Sequence, residues 1–337
     1  MAVAAPAHFS RARSFAYSVV VVGLFFALLE GGLRFARVRA PARPRLIVRA
    51  IDVDIDLPFM KLDPDLFWSP RAGWRGEFQG WPVTINALGL RGPDVVLPKP
   101  PGRRRVACFG DSITFGYGVD DTESYPYLLG QRLAAAGGEA VNAGVTGYTS
   151  YQVLGLARRL LPVIDADVAT FCVGWNDAGT RPLDDREYAR RLQAAIEVEG
   201  VLDHLALYRA AKALYLRTGL GNRDAGARRP RVAPDDYASN LRALVTECRR
   251  QGVRPVLIAL PRRRRAGEPP FLSPYPDVER QAARELGVPL IVVPELAARP
   301  DGPVNAEYFL DTLHLTAAGN RLLAQGIAEQ LAALGLI

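Results

Sequence analysis

The sequence predicts an α/β domain in which a parallel sheet carries helices on both faces, and two observations lead to this fold class. The chain has 337 residues, 49% hydrophobic and 23% charged, which is ordinary for a globular protein with one large domain or two modest ones. Beyond residue 104, short apolar runs alternate with amphipathic stretches. This repeated β-α-β order is typical of a parallel sheet covered on both sides.

The longest apolar stretch comes first, at residues 15–29, and Arg11 and Arg13 precede it. A membrane-spanning helix needs about 20 mostly apolar residues, so the span extends to about Leu33. No clean small-x-small cleavage site follows, which favours an uncleaved membrane anchor over a removed signal peptide. A buried core helix is the alternative. We therefore predict a membrane partner for residues 15–33.

The side of the membrane on which the main domain lies is not determined by the flanking charges. By the positive-inside rule, an excess of arginine after the segment would keep the domain cytoplasmic. A short amino tail followed by a large domain usually has the opposite orientation, and we expect an extracytoplasmic domain. Two arginines precede the segment and six follow it: Arg34, Arg37, Arg39, Arg43, Arg45 and Arg49.

Two further segments separate the anchor from the α/β region. Residues 37–50 are rich in Pro and Arg and are typical of a juxtamembrane linker. Residues 51–101 carry aromatic and β-branched segments broken by Gly and Pro, which predicts a small β-rich extension. The run PKPPGRRR at 98–105 marks a boundary. The predicted domains are 1–36, 37–103 and 104–337.

Within the last domain, strands and helices alternate. Strands are predicted at 106–110, 140–142, 168–173, 256–260 and 290–293. Helices are predicted at 125–136, 150–161, 236–251, 275–286 and 316–334. Residues 182–234 interrupt this order, and we expect an irregular and partly helical insertion there.

Four short motifs fall at the edge formed by the carboxyl ends of the predicted strands, where ligands bind in open parallel sheets. Three of them follow strands, and the fourth comes just before the final helix. Each alone is weak, because Ser, Asn and Asp commonly cap helices or form turns, and Gly often only supplies a positive φ. Their occurrence along one edge of one sheet indicates a catalytic site. The motifs are GDS with Ser112, NAG with Gly144, GWND with Asn176, and DTLH with Asp311 and His314.

These motifs resemble the four blocks of the SGNH hydrolases, the GDSL-type esterase family, which are centred on Ser, Gly, Asn and a DxxH pair. The resemblance covers about 104–337, and GDSIT stands where the family name has GDSL. The segment INALGLRG in the extension is similar to that of membrane-anchored members. The resemblance implies a flavodoxin-like three-layer α/β/α fold. The absence of a G-x-S-x-G elbow argues against the α/β-hydrolase fold.

The chemistry of these residue types agrees with that resemblance. A serine hydroxyl is a poor nucleophile until a base removes its proton, and imidazole suits this task at neutral pH. The spacing of three places Asp311 on the same turn as His314, where it can accept from Nδ1 and leave Nε2 facing Ser112. The resemblance assigns the oxyanion hole to the backbone N–H groups of Ser112 and Gly144 and to the Asn176 side-chain amide.

The predicted function is therefore that of a serine esterase, with an acyl-enzyme on Ser112 and no cofactor. Its substrate would be a small-molecule or saccharide ester, including an O-acyl or O-acetyl group. Two alternatives stay open: an O-acyltransferase that acts on an envelope polysaccharide, and a non-catalytic scaffold of the same fold.

Nucleic-acid binding and metal ligation are both disfavoured. The net charge is +7 with a pI near 9.5, yet nearly all of the positive charge is arginine and no basic helix with interleaved aromatics occurs. We therefore expect no nucleic-acid partner. The three cysteines lack CxxC spacing and are predicted to be buried as small hydrophobes, and the scattered histidines predict no metal site. These residues are Cys108, Cys172, Cys248, His8, His204 and His314.

Two remaining features have plain interpretations. His204 is expected on a helix face, away from substrate. The run Arg262 to Arg265 follows a predicted strand and lies at the catalytic edge, where it could attract an anionic substrate or a lipid headgroup. A solvated loop in an arginine-rich protein is the interpretation that we prefer.

Overall fold

The computed structural model describes residues 11–36, 57–218, 227–263, 273–296 and 306–337. These residues form two compact units. The first contains residues 11–36 and 191–218, and the second contains the remaining described residues. The predicted linker at 37–50, His8, Arg264 and Arg265 lie outside the described residues.

The strands are β1 (Met60–Asp63), β2 (Phe67–Pro70), β3 (Arg75–Phe78), β4 (Trp81–Thr84), β5 (Arg104–Gly110), β6 (Gly138–Gly144), β7 (Val168–Cys172), β8 (Thr180–Arg181), β9 (Arg229–Pro230), β10 (Arg254–Ile258) and β11 (Leu290–Ile291). The helices are α1 (Arg11–Phe35), α2 (Ser112–Phe115), α3 (Tyr125–Leu133), α4 (Ser150–Ile164), α5 (Trp175–Ala178), α6 (Asp185–Leu202), α7 (Ala206–Thr218), α8 (Pro234–Arg250), α9 (Tyr275–Leu286) and α10 (Ala317–Ala333).

The second unit is built on a parallel five-stranded sheet in the order β11-β10-β7-β5-β6. The prediction of an α/β fold with a parallel sheet and helices on both faces is confirmed. In order of appearance these strands run 2-1-3-4-5 across the sheet, which is the flavodoxin-like arrangement. The chain leaves β5 for β6 on one side and then returns to β7 on the other. The switch point of the topology therefore lies between the carboxyl ends of β5 and β7.

The central strands are buried on both faces, which is why they appear in the sequence as continuous apolar runs. All five residues of β7 and six of the seven in β5 are buried. The edge strand β6 is longer than the predicted 140–142, because one side of an edge strand tolerates polar residues such as Glu139. At the other edge, β11 ends at Ile291, two residues earlier than predicted.

The segment at 182–234 is more regular than expected. It contains the 18-residue helix α6, the 13-residue helix α7 and the short antiparallel pair β8 and β9. Residues 219–226 lie outside the described part of this segment. His204 is not on a helix face, so that prediction is wrong. It lies exposed in the turn between α6 and α7, because the helical backbone ends at Leu202.

The predicted β-rich extension is confirmed as two antiparallel hairpins, β1 with β2 and β3 with β4. Its aromatic side chains are fixed to the α/β core by hydrogen bonds as well as by packing. The indole Nε1 of Trp68 donates to the carbonyl of Thr146 over 2.9 Å, and the Tyr148 hydroxyl donates to the carbonyl of Trp68 over 2.5 Å. The extension is thus part of the unit that contains the sheet.

In the first unit, α1 includes a 23-residue stretch, Arg13–Phe35, that is long and apolar enough to cross a membrane. None of this stretch is buried, which excludes the alternative of a buried core helix. Length and composition leave two interpretations, a membrane anchor and a signal sequence.

The second unit buries a carboxyl group that has no ion-pair partner among the described residues. Glu279 on α9 is 3% exposed, and its Oε1 has no hydrogen-bond partner there. Burial raises the pKa of Glu279 well above its usual range. The folded protein therefore keeps a proton on this group at a pH where the unfolded chain has lost it.

This difference predicts that Glu279→Met stabilises the protein, and more at pH 8 than at pH 5. Because the unfolded chain binds fewer protons above its ordinary carboxyl pKa, the wild-type Glu279 lowers stability as pH rises, until the folded-state pKa is passed. Removal of an unpartnered buried polar group is worth about 1–3 kcal/mol. The check is the thermal midpoint at both pH values, with half-exposed Glu285→Met on the same helix as control. Equal shifts for both variants at both pH values would contradict the prediction.

Candidate active site

Ser112 lies at the first turn of α2, directly after the carboxyl end of β5. The side chain of Asp111 caps this turn, since Oδ1 accepts from the backbone N–H of Ile113 over 2.9 Å. Gly110 makes the turn possible, because a Cβ there would lie 2.1 Å from Thr114 Oγ1 and 2.6 Å from the carbonyl oxygen of Cys172. The serine hydroxyl is thereby held at the switch point of the sheet.

The structure brings together Ser112, His314 and Asp311, which lie far apart in sequence. His314 Nε2 is 2.9 Å from Ser112 Oγ, and His314 Nδ1 is 2.6 Å from Asp311 Oδ2. A carboxylate only accepts hydrogen bonds, so Nδ1 donates to Asp311, and in the neutral ring Nε2 is left to accept from the serine hydroxyl. This arrangement can transfer a proton from the hydroxyl to the imidazole.

Asp311 is itself held in place by the backbone. Its Oδ1 accepts from the N–H groups of Leu313 and His314, both at 2.8 Å. Burial alone would raise the pKa of Asp311, but the hydrogen bonds from His314 Nδ1 and from these two N–H groups outweigh it and lower the pKa. The carboxylate therefore stays ionised, and its orientation fixes that of the imidazole.

Tyr117 contacts the imidazole of His314 and was not found by the sequence analysis. Its ring centroid lies 4.8 Å from that of His314, with the two planes tilted by 37°. The only signal in the sequence is an aromatic residue soon after the GDS motif, which by itself does not distinguish a site residue from a core residue.

The groups expected to form an oxyanion hole meet at the same edge of the sheet, but two of them donate to protein acceptors. The Gly144 N–H donates to Asn142 Oδ1 over 3.0 Å. The side-chain Nδ2 of Asn176 donates to Asp111 Oδ2 over 3.2 Å and to the carbonyl of Tyr148 over 3.0 Å. Since an amide nitrogen has two hydrogens, both are occupied here.

A scan against family models identifies the chain. The model described as the GDSL-like Lipase/Acylhydrolase family matches residues 108–322, more than half of the sequence. The protein belongs to this family. It is a hydrolase that acts on ester bonds. No curated protein matches the chain.

Solved structures similar to this acylhydrolase match most of their own length. A lipase/acylhydrolase from Enterococcus faecalis is 19% identical, with 68% of this chain and 96% of that chain covered at a TM-score of 0.45. A psychrotrophic esterase from Pseudoalteromonas sp. is 15% identical, with 68% and 98% covered at a TM-score of 0.46. An acetyl xylan esterase is 18% identical, with 67% and 99% covered at a TM-score of 0.43.

Two buried carboxyl groups lie next to the site of the acylhydrolase. Asp111 and Asp177 are fully buried, and burial raises the pKa of each to about 7. Asp177 accepts from the backbone N–H of Ser150 at 3.0 Å and from its hydroxyl at 2.5 Å. Asp111 thus connects the turn that carries Ser112 to the side chain of Asn176. Asp177, the residue after Asn176, connects the same loop to Ser150 at the start of α4.

Arg91, in the INALGLRG segment, supports the loop that follows Ser112. This guanidinium is buried, and it donates to the carbonyls of Phe115 and Val119 over 2.8 and 2.6 Å. Its Nε pairs with Asp121 Oδ1 over 2.7 Å. An arginine in a Gly-rich segment was the only signal in the sequence. The extension therefore shapes the catalytic edge through a buried cation.

The other residues considered from the sequence lie elsewhere. The three cysteines are free and buried, as predicted. Among the described residues, no three His, Cys, Asp or Glu side chains are placed to hold a metal ion. The Arg263 backbone N–H donates to the carbonyl of Thr312 over 2.9 Å, so this part of the arginine run contacts the loop that carries Asp311 and His314.

The close approach of β6 to α2 predicts that Gly144→Ala destabilises the acylhydrolase. A Cβ at Gly144 would lie 2.2 Å from the backbone nitrogen of Phe115, and backbone atoms cannot move aside at low cost. We expect a loss of about 1–3 kcal/mol, as for other overpacked cores, measured by urea unfolding. The control is Gly200→Ala in α6, where no atom lies within 4 Å and alanine favours the helix. A Gly144→Ala protein as stable as wild type would contradict the close contact.

Proposed function

We propose that this acylhydrolase cleaves its ester substrate through an acyl-enzyme on Ser112, with His314 as general base and acid and Asp311 as the residue that orients it. The observation that supports the proposal most strongly is the continuous chain of hydrogen bonds from Asp311 Oδ2 to His314 Nδ1, at 2.6 Å, and from Nε2 to Ser112 Oγ, at 2.9 Å. Both distances are within the range at which a proton moves between a nucleophile and its base.

In the first half of the reaction, Ser112 Oγ attacks the carbonyl carbon while its proton passes to His314 Nε2. The ionised Asp311 stabilises the imidazolium that forms. The imidazolium then donates its proton to the oxygen of the departing alcohol, and the C–O bond of the ester breaks. In the second half, His314 removes a proton from water, the resulting hydroxide attacks the acyl-enzyme, and the acid product leaves as Ser112 regains its proton. Every proton is accounted for without a cofactor.

The oxyanion would be bound by the N–H groups of Ser112 and Gly144 and by the Asn176 amide. In the structure without substrate, Gly144 and Asn176 donate to protein oxygens. Substrate binding must therefore replace or share these bonds. An oxyanion is a stronger acceptor than the neutral carbonyl of Tyr148, which favours this exchange as negative charge develops.

We also propose that α1 is a retained membrane anchor with the catalytic domain on the extracytoplasmic side. Retention is supported by Glu30, whose two carboxylate oxygens accept from the backbone N–H groups of Ala206 and Leu207, both at 2.8 Å. A cleaved signal peptide makes no lasting contacts with the mature protein, whereas these bonds tie α1 to α7. The expected substrate is a small-molecule or saccharide ester, and nucleic acid is not an expected partner.

The role of Ser112 predicts covalent labelling by a fluorophosphonate, located by peptide sequencing at Ser112. Ser112→Ala should abolish both the labelling and the hydrolysis of an acetyl ester, while Ser239→Ala, at an exposed hydroxyl on α8, should leave both unchanged. Hydrolysis by Ser112→Ala at the wild-type rate would instead indicate a scaffold with no catalytic serine. Transfer of the acyl group to an added oligosaccharide, in preference to water, would indicate the acyltransferase.

The role of Asn176 predicts that Asn176→Ala lowers kcat by about 100- to 1,000-fold, the usual loss for one oxyanion donor. Because the donor acts on charge that develops in the transition state, KM should change little. Steady-state kinetics with an activated ester would measure both constants. A rise in KM with kcat unchanged would show that Asn176 binds the ground state and is not an oxyanion donor.

A further inference from the structure

The first unit exposes apolar side chains outside α1. Val198 and Val201 on α6 are 57% and 71% exposed, and Leu205 in the following turn and Leu214 on α7 are 43% and 63% exposed. Val198 and Val201 are three residues apart and so lie on the same face of α6. Exposed apolar groups that cluster in this way mark an interaction surface.

The start of α7 is fixed to the last turns of α1. Besides the two bonds from Ala206 and Leu207 to Glu30, Arg34 Nη2 donates to the carbonyl of His204 over 3.1 Å. Arg34 Nε also pairs with Glu30 Oε1 over 2.7 Å. A carboxylate at a helix N-terminus satisfies N–H groups that have no partner within the helix and interacts favourably with the helix dipole. The α6–α7 turn is therefore held at the level of Glu30.

The position of Glu30 along α1 sets the depth of this turn. Glu30 is the first charged residue after the uncharged stretch at 15–29. At 1.5 Å per residue it lies about 12 Å from the middle of that stretch, and half of the hydrocarbon core of a bilayer is about 15 Å thick. If α1 spans the membrane, Glu30 lies near the boundary between the acyl chains and the headgroups.

We propose that residues 191–218 of α6 and α7 lie on the lipid surface beside α1, with Val201 and Leu205 inserted at the boundary between headgroups and acyl chains. The inference rests on the proposed membrane anchor and is independent of the ester chemistry. A lipid surface is the favoured partner because these exposed apolar residues lie on α7 and on the helix and turn before it, and α7 packs against α1, which is itself apolar and unburied. Helices that lie in this interface bury an apolar face about 5–10 Å deep and direct basic residues towards the headgroups.

Site-directed fluorescence in the full-length protein tests this placement. The native cysteines are all buried, so an environment-sensitive thiol probe will report on a single introduced cysteine. The protein would be reconstituted in vesicles of phosphatidylcholine and phosphatidylglycerol that contain nitroxide lipids, with the quencher at the headgroup or deep in the acyl chain. The test positions are Val201→Cys and Leu205→Cys, and Leu24→Cys reports on α1.

The matched control is Gln193→Cys, an exposed polar position on α6. At about 100° per residue, its side chain lies about 140° around the helix from Val198 and about 80° from Val201. At about 1.5 Å per residue it is also about 12 Å from Val201 along the helix axis. Retained hydrolysis of an activated ester, or an unchanged circular dichroism spectrum, would show that each variant is folded.

We expect the probes at positions 201 and 205 to shift to shorter wavelength and to be quenched by the headgroup nitroxide. The probe at position 24 should be quenched by the deep nitroxide, and that at position 193 by neither. Adding Glu30→Ala should reduce the quenching at position 205, because α7 then loses its tie to α1. If the probes at 201 and 205 behave like the one at 193 while the probe at 24 is in the bilayer, the inference is overturned and the membrane anchor is retained. A water-exposed probe at 24 would overturn both.

Discussion

The structure of the catalytic edge depends on how closely three strand ends approach one another. The turn after β5 passes so near β6 and β7 that neither Gly110 nor Gly144 has room for a Cβ. This close packing aligns Ser112 with the loops that follow the neighbouring strands and with the loop that carries His314. A parallel sheet brings its carboxyl ends together in any case, and the absence of side chains at these two points lets the strand ends approach this closely.

The same edge is stabilised by polar groups that are buried almost completely. Asp111 links the cap of α2 to the Asn176 amide, and Arg91 links the hairpin extension to the loop after α2. Burial of such groups costs free energy unless their hydrogen bonds are made, and here each has several partners. Glu279, in contrast, has an unpartnered oxygen among the described residues. Glu279 therefore lowers the stability of the folded protein, whereas the buried groups at this edge are compensated by their partners.

In the first unit, the carboxylate of Glu30 lies near the end of the apolar helix α1. A charged group at such a position must be neutralised or hydrogen-bonded. Glu30 obtains two backbone donors from α7 and one side-chain donor from Arg34. In return, the N-terminus of α7 gains a cap that its own sequence does not provide, since Leu205 and Ala206 cannot accept from backbone N–H groups through their side chains. One interaction therefore stabilises both α1 and the helix that packs against it.

The sequence by itself determined the order of strands and helices, the parallel sheet and the motif residues, because buried strands and amphipathic helices have distinct local periodicities. The Ser and Gly motifs also follow strand ends, and the DxxH pair comes just before the last helix. The sequence did not determine contacts between segments far apart in the chain. Four features follow from packing that leaves no local signal in the sequence. They are the two helices within 185–218, the position of His204 in a turn, the contact of the Tyr117 ring with His314, and the burial of the Arg91 guanidinium. The partners of Asn176 and Gly144 were likewise decided only by the fold, since a side-chain amide or an N–H group bonds to whichever acceptor the tertiary structure places within about 3 Å.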